Sequence, residues 1–497
     1  MKLQKTIGAA LAVSVLVSSA LTGCGRGAPP AAGSAAGSSQ AQAAAPGLIY
    51  YTIGDPDADL RQVNDALNRM LLKKIGVTVE YKKIPWNDYG TKISALVNSG
   101  ADFDVAFAST GSDQGDYAGN AARGAWLDLT GFLQKDGKAM YSMIDPLYWA
   151  GVKIGGKIYG VPTNKEIAVP EWWMFPKQLV NKYKIDLSKY ATLDSLEPLL
   201  AKIKKDEPAW LPMELDKNSN NFFALDGYEY VINKEIPLMV QSADPKMNVV
   251  DIFDTDLARR TLKTLRRYYG AGYINEDAAL RETQNLERNE KVFWKEAGGG
   301  PYPEASWSAD RGYPLVARQV SRATVTTEST RGGIMVVNSR SRHPEEAVKF
   351  LNLLNTDPEV RNLLNYGVEG VNYTLTKNDQ VERKNNDYSG VQYTQGNWFI
   401  LNTVVGDPTD KWDRYREFNR GAVRSEVLGF TADTSKVSRE VSRVSQVWAK
   451  YYPGLMTGSV DPDVELPKFL SEMKAAGIDK VQAEIQRQLT EWKKTAK

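Results

Sequence analysis

Between residues 48 and 108 the apolar positions switch repeatedly between two rhythms. Leu48 to Ile53 is a short apolar run, and Leu60, Val63, Leu67 and Leu71 then recur at helical spacing. Val77 to Ile84 alternates as a strand does, Tyr89, Ile93 and Leu96 return to helical spacing before Gly100, and Phe103 to Ala108 is a compact apolar run. Strands alternating with helices of this length predict βαβ units and a parallel sheet. Open α/β sheets bind ligands beyond the carboxyl ends of their strands. Those ends are Gly54-Asp55-Pro56-Asp57 and Ser109-Thr110-Gly111-Ser112, which makes Asp55, Ser109 and Thr110 candidate ligand contacts. Ordinary turns use the same small polar residues.

Farther along, Gly156-Lys157-Ile158-Tyr159-Gly160-Val161-Pro162 reads as a strand, followed by Glu166 and the pair Trp172-Trp173. Leu196, Leu199, Leu200 and Ile203 define a helix; Leu257 to Tyr269 forms another, stopped by Gly270-Ala271-Gly272. Lys291 to Ala297 is strand-like and carries Trp294; Gly298-Gly299-Gly300-Pro301 turns sharply, and Trp307 follows in a loop. Arg331 to Asn338 is a second strand, and helices are predicted over Pro344–Leu354 and Asp357–Leu364. The last hundred residues are mostly helical: Val437, Val441, Val444 and Trp448 share one face, as do Val481, Ile485, Leu489 and Trp492.

The first 47 residues break both rhythms. Met1 to Lys5 is a short basic start, Ile7 to Leu21 is uncharged and mostly apolar, and small residues precede Cys24, the pattern of a secretory signal peptide over residues 1–23. About 15 apolar residues are short of the ~20 that span a bilayer. Leu21-Thr22-Gly23-Cys24 resembles a bacterial lipobox, which implies a diacylated Cys24 anchoring the chain at the outer face of the cell membrane. Residues 24–47, rich in Gly, Ala, Ser, Pro and Gln, are too polar and too simple to fold and read as a flexible linker.

Composition narrows the chemistry. Sixty-two basic against 60 acidic residues give a net charge of +2, which supports neither nucleic-acid binding nor a polybasic membrane patch. Cys24 is the only cysteine and His343 the only histidine, which rules out an intramolecular disulfide and argues against a His- or Cys-rich metal site and His-dependent nucleophilic triads. His343 reads as a solvated residue before a helix start. Asp216-Lys217-Asn218-Ser219-Asn220-Asn221 spaces oxygens like the start of a calcium loop, but Asn221 stands where the turn needs Gly and Gly227 where the loop needs Glu, so it reads as a polar loop. No cofactor or metal is expected. Twelve Trp and 24 Tyr fill cores first, and the surplus can line a cleft.

The β-α-β-α-β order followed by the "G-K-I-Y-G-V-P" strand resembles the first interdomain crossover of family 1 solute-binding proteins of ABC transporters, the maltodextrin-binding type. Tyr366-Gly367-Val368-Glu369-Gly370-Val371-Asn372-Tyr373 resembles the family's return between lobes, and the run from Lys474 to Leu489 resembles the C-terminal helical extension of its large Gram-positive lipoproteins. The resemblance implies an α/β, two-lobed periplasmic-binding-protein-like fold of type II, with an interlobe cleft and a helical C-terminal extension. It implies a first lobe of 48–163 plus 326–373 and a second of 164–325 plus 374–497. The implied function is capture of an oligosaccharide by hinge closure and delivery to permease transmembrane subunits, by a monomer and without enzymatic activity. Its implied ligand contacts are Glu166, Trp172, Trp173, Trp294, Trp307, Glu369 and Tyr373. Two other readings stay open. A tethered extracellular glycosidase would need a marked pair of carboxylates; a peptide-binding protein would pair backbone along a strand edge.

Overall fold

The computed structural model describes residues 45–111, 114–218, 221–282 and 290–495. The expected signal peptide, Cys24, most of the linker, Ser112 and the middle of the calcium-like loop lie outside them.

The predicted alternation is present as β1 (Gly47–Ile53), α1 (Leu60–Ile75), β2 (Thr78–Ile84), α2 (Tyr89–Ser99) and β3 (Val105–Ala108). Next come β4 (Gly160–Pro162), β5 (Glu171–Pro176), α3 (Leu193–Asp206), β6 (Leu211–Met213), α4 (Asp256–Gly270), β7 (Val292–Gly298), α5 (Glu304–Arg311) and β8 (Leu315–Gln319). After these are β9 (Ile334–Val337), α6 (Pro344–Thr356), α7 (Pro358–Tyr366), the hairpin β10 (Tyr373–Leu375) and β11 (Val381–Arg383), and α8 (Lys411–Gly421). Helices α9 (Ser438–Met456), α10 (Pro462–Ala476) and α11 (Ile478–Thr495) end the chain.

Two sheets organise these elements. The first has the order β2-β1-β3-β9-β4, with β1 parallel to β2 and β3, and β9 antiparallel to both neighbours. The second has the order β8-β5-β7-β6, with β5 antiparallel to its neighbours and β6 parallel to β7. Each sheet sits in its own apolar core. The first gathers Val63, Leu67 and Leu71 of α1 with Phe350, Leu351 and Leu354 of α6. The second gathers Leu196, Leu200 and Ile203 of α3, Leu262 and Leu265 of α4, and Val481, Ile485 and Leu489 of α11. The helical periodicity read from the sequence is therefore the periodicity of these buried faces.

Two expectations change. Trp307 lies on α5 rather than in a loop; Glu304 in the first turn and Gly312, left-handed at φ 78°, mark the helix ends, but one aromatic in eight residues left no apolar period to read. The segment 374–422, assigned to the second lobe, packs on the first. Tyr388 is buried in the first core and its hydroxyl donates to Leu364 O at 2.9 Å. Thr394 meets Thr52 at 3.2 Å, and Val381, Leu401 and Trp412 form a satellite cluster with Tyr366 of α7. The polar run around 377–387 carries no apolar period that could have shown this boundary.

Past the end of α9, Gly458 has φ +71°, and a Cβ there would overlap the Leu265 carbonyl of α4. Arg266 of α4 also donates to the Gly458 and Ser459 carbonyls, both at 3.3 Å. Gly458→Ala is expected to destabilise the protein by more than about 1 kcal/mol, through φ strain and overlap together; urea denaturation measures this, and an unchanged midpoint contradicts the account.

Candidate ligand-binding site

The cleft is defined by where the chain leaves the first sheet. β4 runs parallel to β3, since both lie antiparallel to β9, and Ile334 pairs with both Pro162 and Ala108. The carboxyl ends of β1, β2, β3 and β4 therefore share one edge, and from Pro162 the chain continues toward the second sheet. In that second sheet the matching edge holds the start of β5 and the ends of β7 and β8, where Glu171 pairs with Gly298 and Trp172 with Gln319.

Three stretches of chain pass between the two cores. The first is 163–170: Thr163 N donates to Gly333 O at 2.8 Å, and Asn419 of α8 grips the next residues, donating to Lys165 O at 2.8 Å and accepting from Ile167 N at 2.9 Å. The second is 320–333, where Ser329 Oγ donates to Ile167 O at 2.8 Å. The third, 422–431, was not foreseen. Thr324 and Val325 pair in parallel with Val423 and Arg424, a two-residue ladder too short to leave a sequence signal. Arg331, at the end of the second crossing, ties the third to the first lobe, donating to Thr431 Oγ1 at 2.8 Å and to Gly151 O at 2.9 Å and Lys153 O at 3.1 Å.

Beside the first crossing, Glu166, Trp172 and Trp307 come together around two glycines. Trp172 Nε1 donates to Gly299 O at 3.0 Å. A Cβ at Gly299 would lie 2.9 Å from Trp307 and 3.7 Å from Trp172; one at Gly300 would lie 3.2 Å from Glu166 Cγ. Only a residue without a side chain lets these groups converge. Glu166 is ion-paired with Lys165, whose ammonium lies 5.8 Å from the Trp398 ring centre. Its other oxygen, Oε2, is buried without a hydrogen-bond partner among the described residues. A buried acceptor of this kind is costly unless something donates to it, and a ligand hydroxyl is a suitable donor. Tyr302 stands nearby, 54 % exposed, with the Arg414 guanidinium of α8 5.4 Å from its ring centre.

The other candidates separate. Asp55 and Thr110 are exposed at the ends of β1 and β3. Ser109 is buried, and its hydroxyl donates to Gln114 at 2.9 Å, so it holds the loop rather than offering a contact. Trp173 and Trp294 are corrections: both are wholly buried and pack edge-to-face at 5.6 Å in the second core, which leaves no surface for a ligand. Tyr373 is buried in the satellite cluster against Tyr366, while Glu369 is exposed on the same layer and bridges to Tyr373 through the backbone. Exposure decides among tryptophans, and sequence alone does not reveal it.

A model of bacterial extracellular solute-binding proteins matches residues 66–386, and a domain of unknown function matches 426–494. A carbohydrate ABC transporter substrate-binding protein from Streptococcus pneumoniae is 30% identical over 462 residues, covering 91% of this chain and 92% of the relative. The chain belongs to the bacterial extracellular solute-binding protein family. Among solved structures, the N-glycan transport solute-binding protein NgtS of S. pneumoniae is 29% identical with a TM-score of 0.83, covering 91% of this solute-binding protein and all of the neighbour. NgtS in complex with Man5GlcNAc aligns with a TM-score of 0.71 at the same identity, covering 91% and 99%. An HMO-binding, ABC-transporter-associated solute-binding protein from Bifidobacterium longum infantis, at 14% identity and TM-score 0.66, shares the fold.

Buried charge shapes the second lobe of this solute-binding protein. Glu214, wholly buried, pairs with Arg311, with Lys295 at 3.1 Å and with Arg281 at 3.2 Å. Asp216, from the calcium-like loop, has Lys295 Nζ at 3.7 Å, so a lysine ammonium faces this carboxylate. Glu171 and Glu296 are bridged by Asn221, which donates to Glu171 through its side chain at 3.1 Å and to Glu296 through its backbone at 3.0 Å. Burial raises both carboxyls above the ordinary glutamate value of 4.5, and the Glu296 charge raises Glu171 further; Lys234 pulls both back and Glu328 adds to the rise at Glu171. Groups whose folded pKa is raised contribute stability that is present below pH 4.5 and lost as pH climbs through the raised values. Glu171→Gln keeps the acceptor for Asn221 and removes one titration. It is expected to flatten the fall in melting temperature between about pH 5 and about pH 8; a fall as steep as in the wild type rejects this assignment.

Proposed function

We propose that this protein captures an oligosaccharide between its two lobes by hinge closure and hands it to the transmembrane subunits of an ABC importer. The observation that carries the reading is the meeting of Glu166, Trp172 and Trp307 at the crossing between two separate cores. Sugar rings present C–H faces that lie on aromatic faces, and their hydroxyls bond to carboxylates and amides. The named relatives support a carbohydrate ligand: one is called a carbohydrate ABC transporter substrate-binding protein, and NgtS was crystallised with Man5GlcNAc and with Man1GlcNAc. Hinge motion draws support from NgtS as well. The same neighbour aligns at 0.83 in one crystal and at 0.71 and 0.74 in those with a named glycan, which fits a rearrangement of lobes.

Capture rather than cleavage is favoured. A glycosidase needs two carboxylates flanking the ligand, whereas the close pairs described above are buried: Glu214 and Asp216 share Lys295, and Glu171 and Glu296 are tied up by Asn221 and by Trp173, whose Nε1 donates to Glu296 at 3.1 Å. On this reading the chain is exported, cut before Cys24, held to the outer membrane face by acyl chains on that residue, and free to reach a permease on the 24–47 linker.

A ligand that binds only the folded state raises the melting temperature by mass action. A thermal-shift screen with neutral oligosaccharides and peptides, with product analysis, is expected to give a shift with an intact sugar. Cleaved sugar would favour the glycosidase and a peptide hit the peptide-binding reading. Trp172→Ala is expected to weaken sugar binding about tenfold, the scale of one lost stacking contact, with little change in melting temperature. Cys24→Ala is expected to move the protein from the membrane fraction to the soluble one; continued membrane retention would count against lipidation.

A further inference from the structure

We propose that Trp86, stacked on Tyr393 at the outer flank of the cleft, is a second sugar platform on the side of the first sheet away from Trp172, and that the ligand is an oligosaccharide long enough to reach it. The proposal rests on the carbohydrate reading above.

Trp86 follows the carboxyl end of β2, which is the edge strand of the first sheet on the side opposite β4, where the chain crosses. With strands about 4.8 Å apart, the four spacings from β2 to β4 separate those backbones by roughly 19 Å. Glu166 and Trp172 belong to the crossing side. The backbone that carries Trp86 thus leaves the same cleft edge on the side away from Trp172, and its ring leans back onto Tyr393.

Its geometry is that of a prepared surface. Trp86 is 43 % exposed. Its ring lies at 22° to that of Tyr393, with centroids 6.3 Å apart, and Tyr393 is propped edge-on by Phe107 of β3 at 5.8 Å and 88°. The backbone on either side is fixed too: Asp88 N and Tyr89 N both donate to Pro85 O at 3.0 Å as α2 begins. A large aromatic held in place loses little freedom on binding.

Segment 393–398 links this platform to the first site. It carries Tyr393 at one end and Trp398 at the other. Between them Gly396 O accepts from Asn164 N at 3.0 Å, and Trp398 N donates to Asn164 O at 2.9 Å. The segment thus carries the Trp86–Tyr393 stack at one end and, at the other, Trp398, whose ring packs on Trp412 and Tyr415 and has Lys165 Nζ 5.8 Å from its centre. Polar groups lie along the cleft edge: Asp55 and Thr110 are exposed at the ends of β1 and β3, and Asp57 pairs with Lys83 at 2.7 Å. Among the described large hydrophobic side chains that are exposed, two are aromatic, Trp86 and Tyr302, and both lie at cleft edges. A lone exposed apolar residue needs no explanation, but two rings at matching edges, one continuous with the Glu166 group, suit an extended sugar chain.

Isothermal titration of the full chain in detergent, with Man5GlcNAc and Man1GlcNAc as probes, tests this. Trp86→Ala is expected to weaken the longer glycan about tenfold and the shorter one less than about twofold, while Trp172→Ala weakens both. Trp86→Phe, which keeps an aromatic face, is expected to recover most of the loss, and unchanged melting temperatures for the ligand-free variants show that the fold is intact. Equal affinity of Trp86→Ala and wild type for both glycans overturns the proposal and leaves the carbohydrate reading standing. So does an equal loss on both, which would place Trp86 at the near subsite, and so does normal glycan binding combined with lost uptake, which would make Trp86 a permease contact. Wild type that binds neither glycan nor any other oligosaccharide overturns both readings together.

Discussion

The structure depends on satisfying the backbone of three chains that leave one core and enter another. Peptide groups there sit on no full sheet, and buried ones must still find partners. They find them in each other: Thr163 on Gly333, Thr324 and Val325 on Val423 and Arg424, and side chains such as Asn419, Ser329 and Arg331 take what remains. Because the crossings bind one another, Glu166 and Trp172 are held by a braced strap, and the site inherits that order.

The second core and the facing edges of the two sheets are built on opposite terms. Trp173 and Trp294 gain their worth from full burial, and Glu214 from several cations around a carboxylate that water cannot reach. Trp86 and Tyr302 leave apolar area in water, and Glu166 keeps one oxygen unpaired. Each of these departures costs stability in the empty protein, and all lie at the facing edges of the two sheets.

Much of the fold was legible because burial imposes period. Val63, Leu67 and Leu71, or Val481, Ile485 and Leu489, repeat every three to four residues since one helix face meets a core. The strand from Gly160 and that from Ile334 were legible for the same reason, as short apolar runs. Glu166 and Trp172 stood out as residue types after the Gly160 strand, and Trp307 after the Gly298–Gly300 turn, and the structure brings the three together. What was illegible has a common cause. Trp86 and Trp294 look alike in sequence, and only the long-range assembly of β7 beside β5 decides that one is sealed in. The third crossing is paired by a ladder only two residues long, and the lobe boundary falls after a polar run, so neither leaves a periodic trace.

The position of β9 has a consequence for how the chain folds as it is made. It occupies the space between β3 and β4 in the first sheet, yet it lies more than 170 residues beyond the latter. Until residue 337 has emerged, β3 has no partner on that side and β4 has none at all, so the N-terminal part, though two-thirds of the chain, cannot complete its sheet. The second core waits longer, for α11. Contacts this distant along the chain form slowly, and the unfinished sheet remains open, with unpaired edges, throughout most of synthesis.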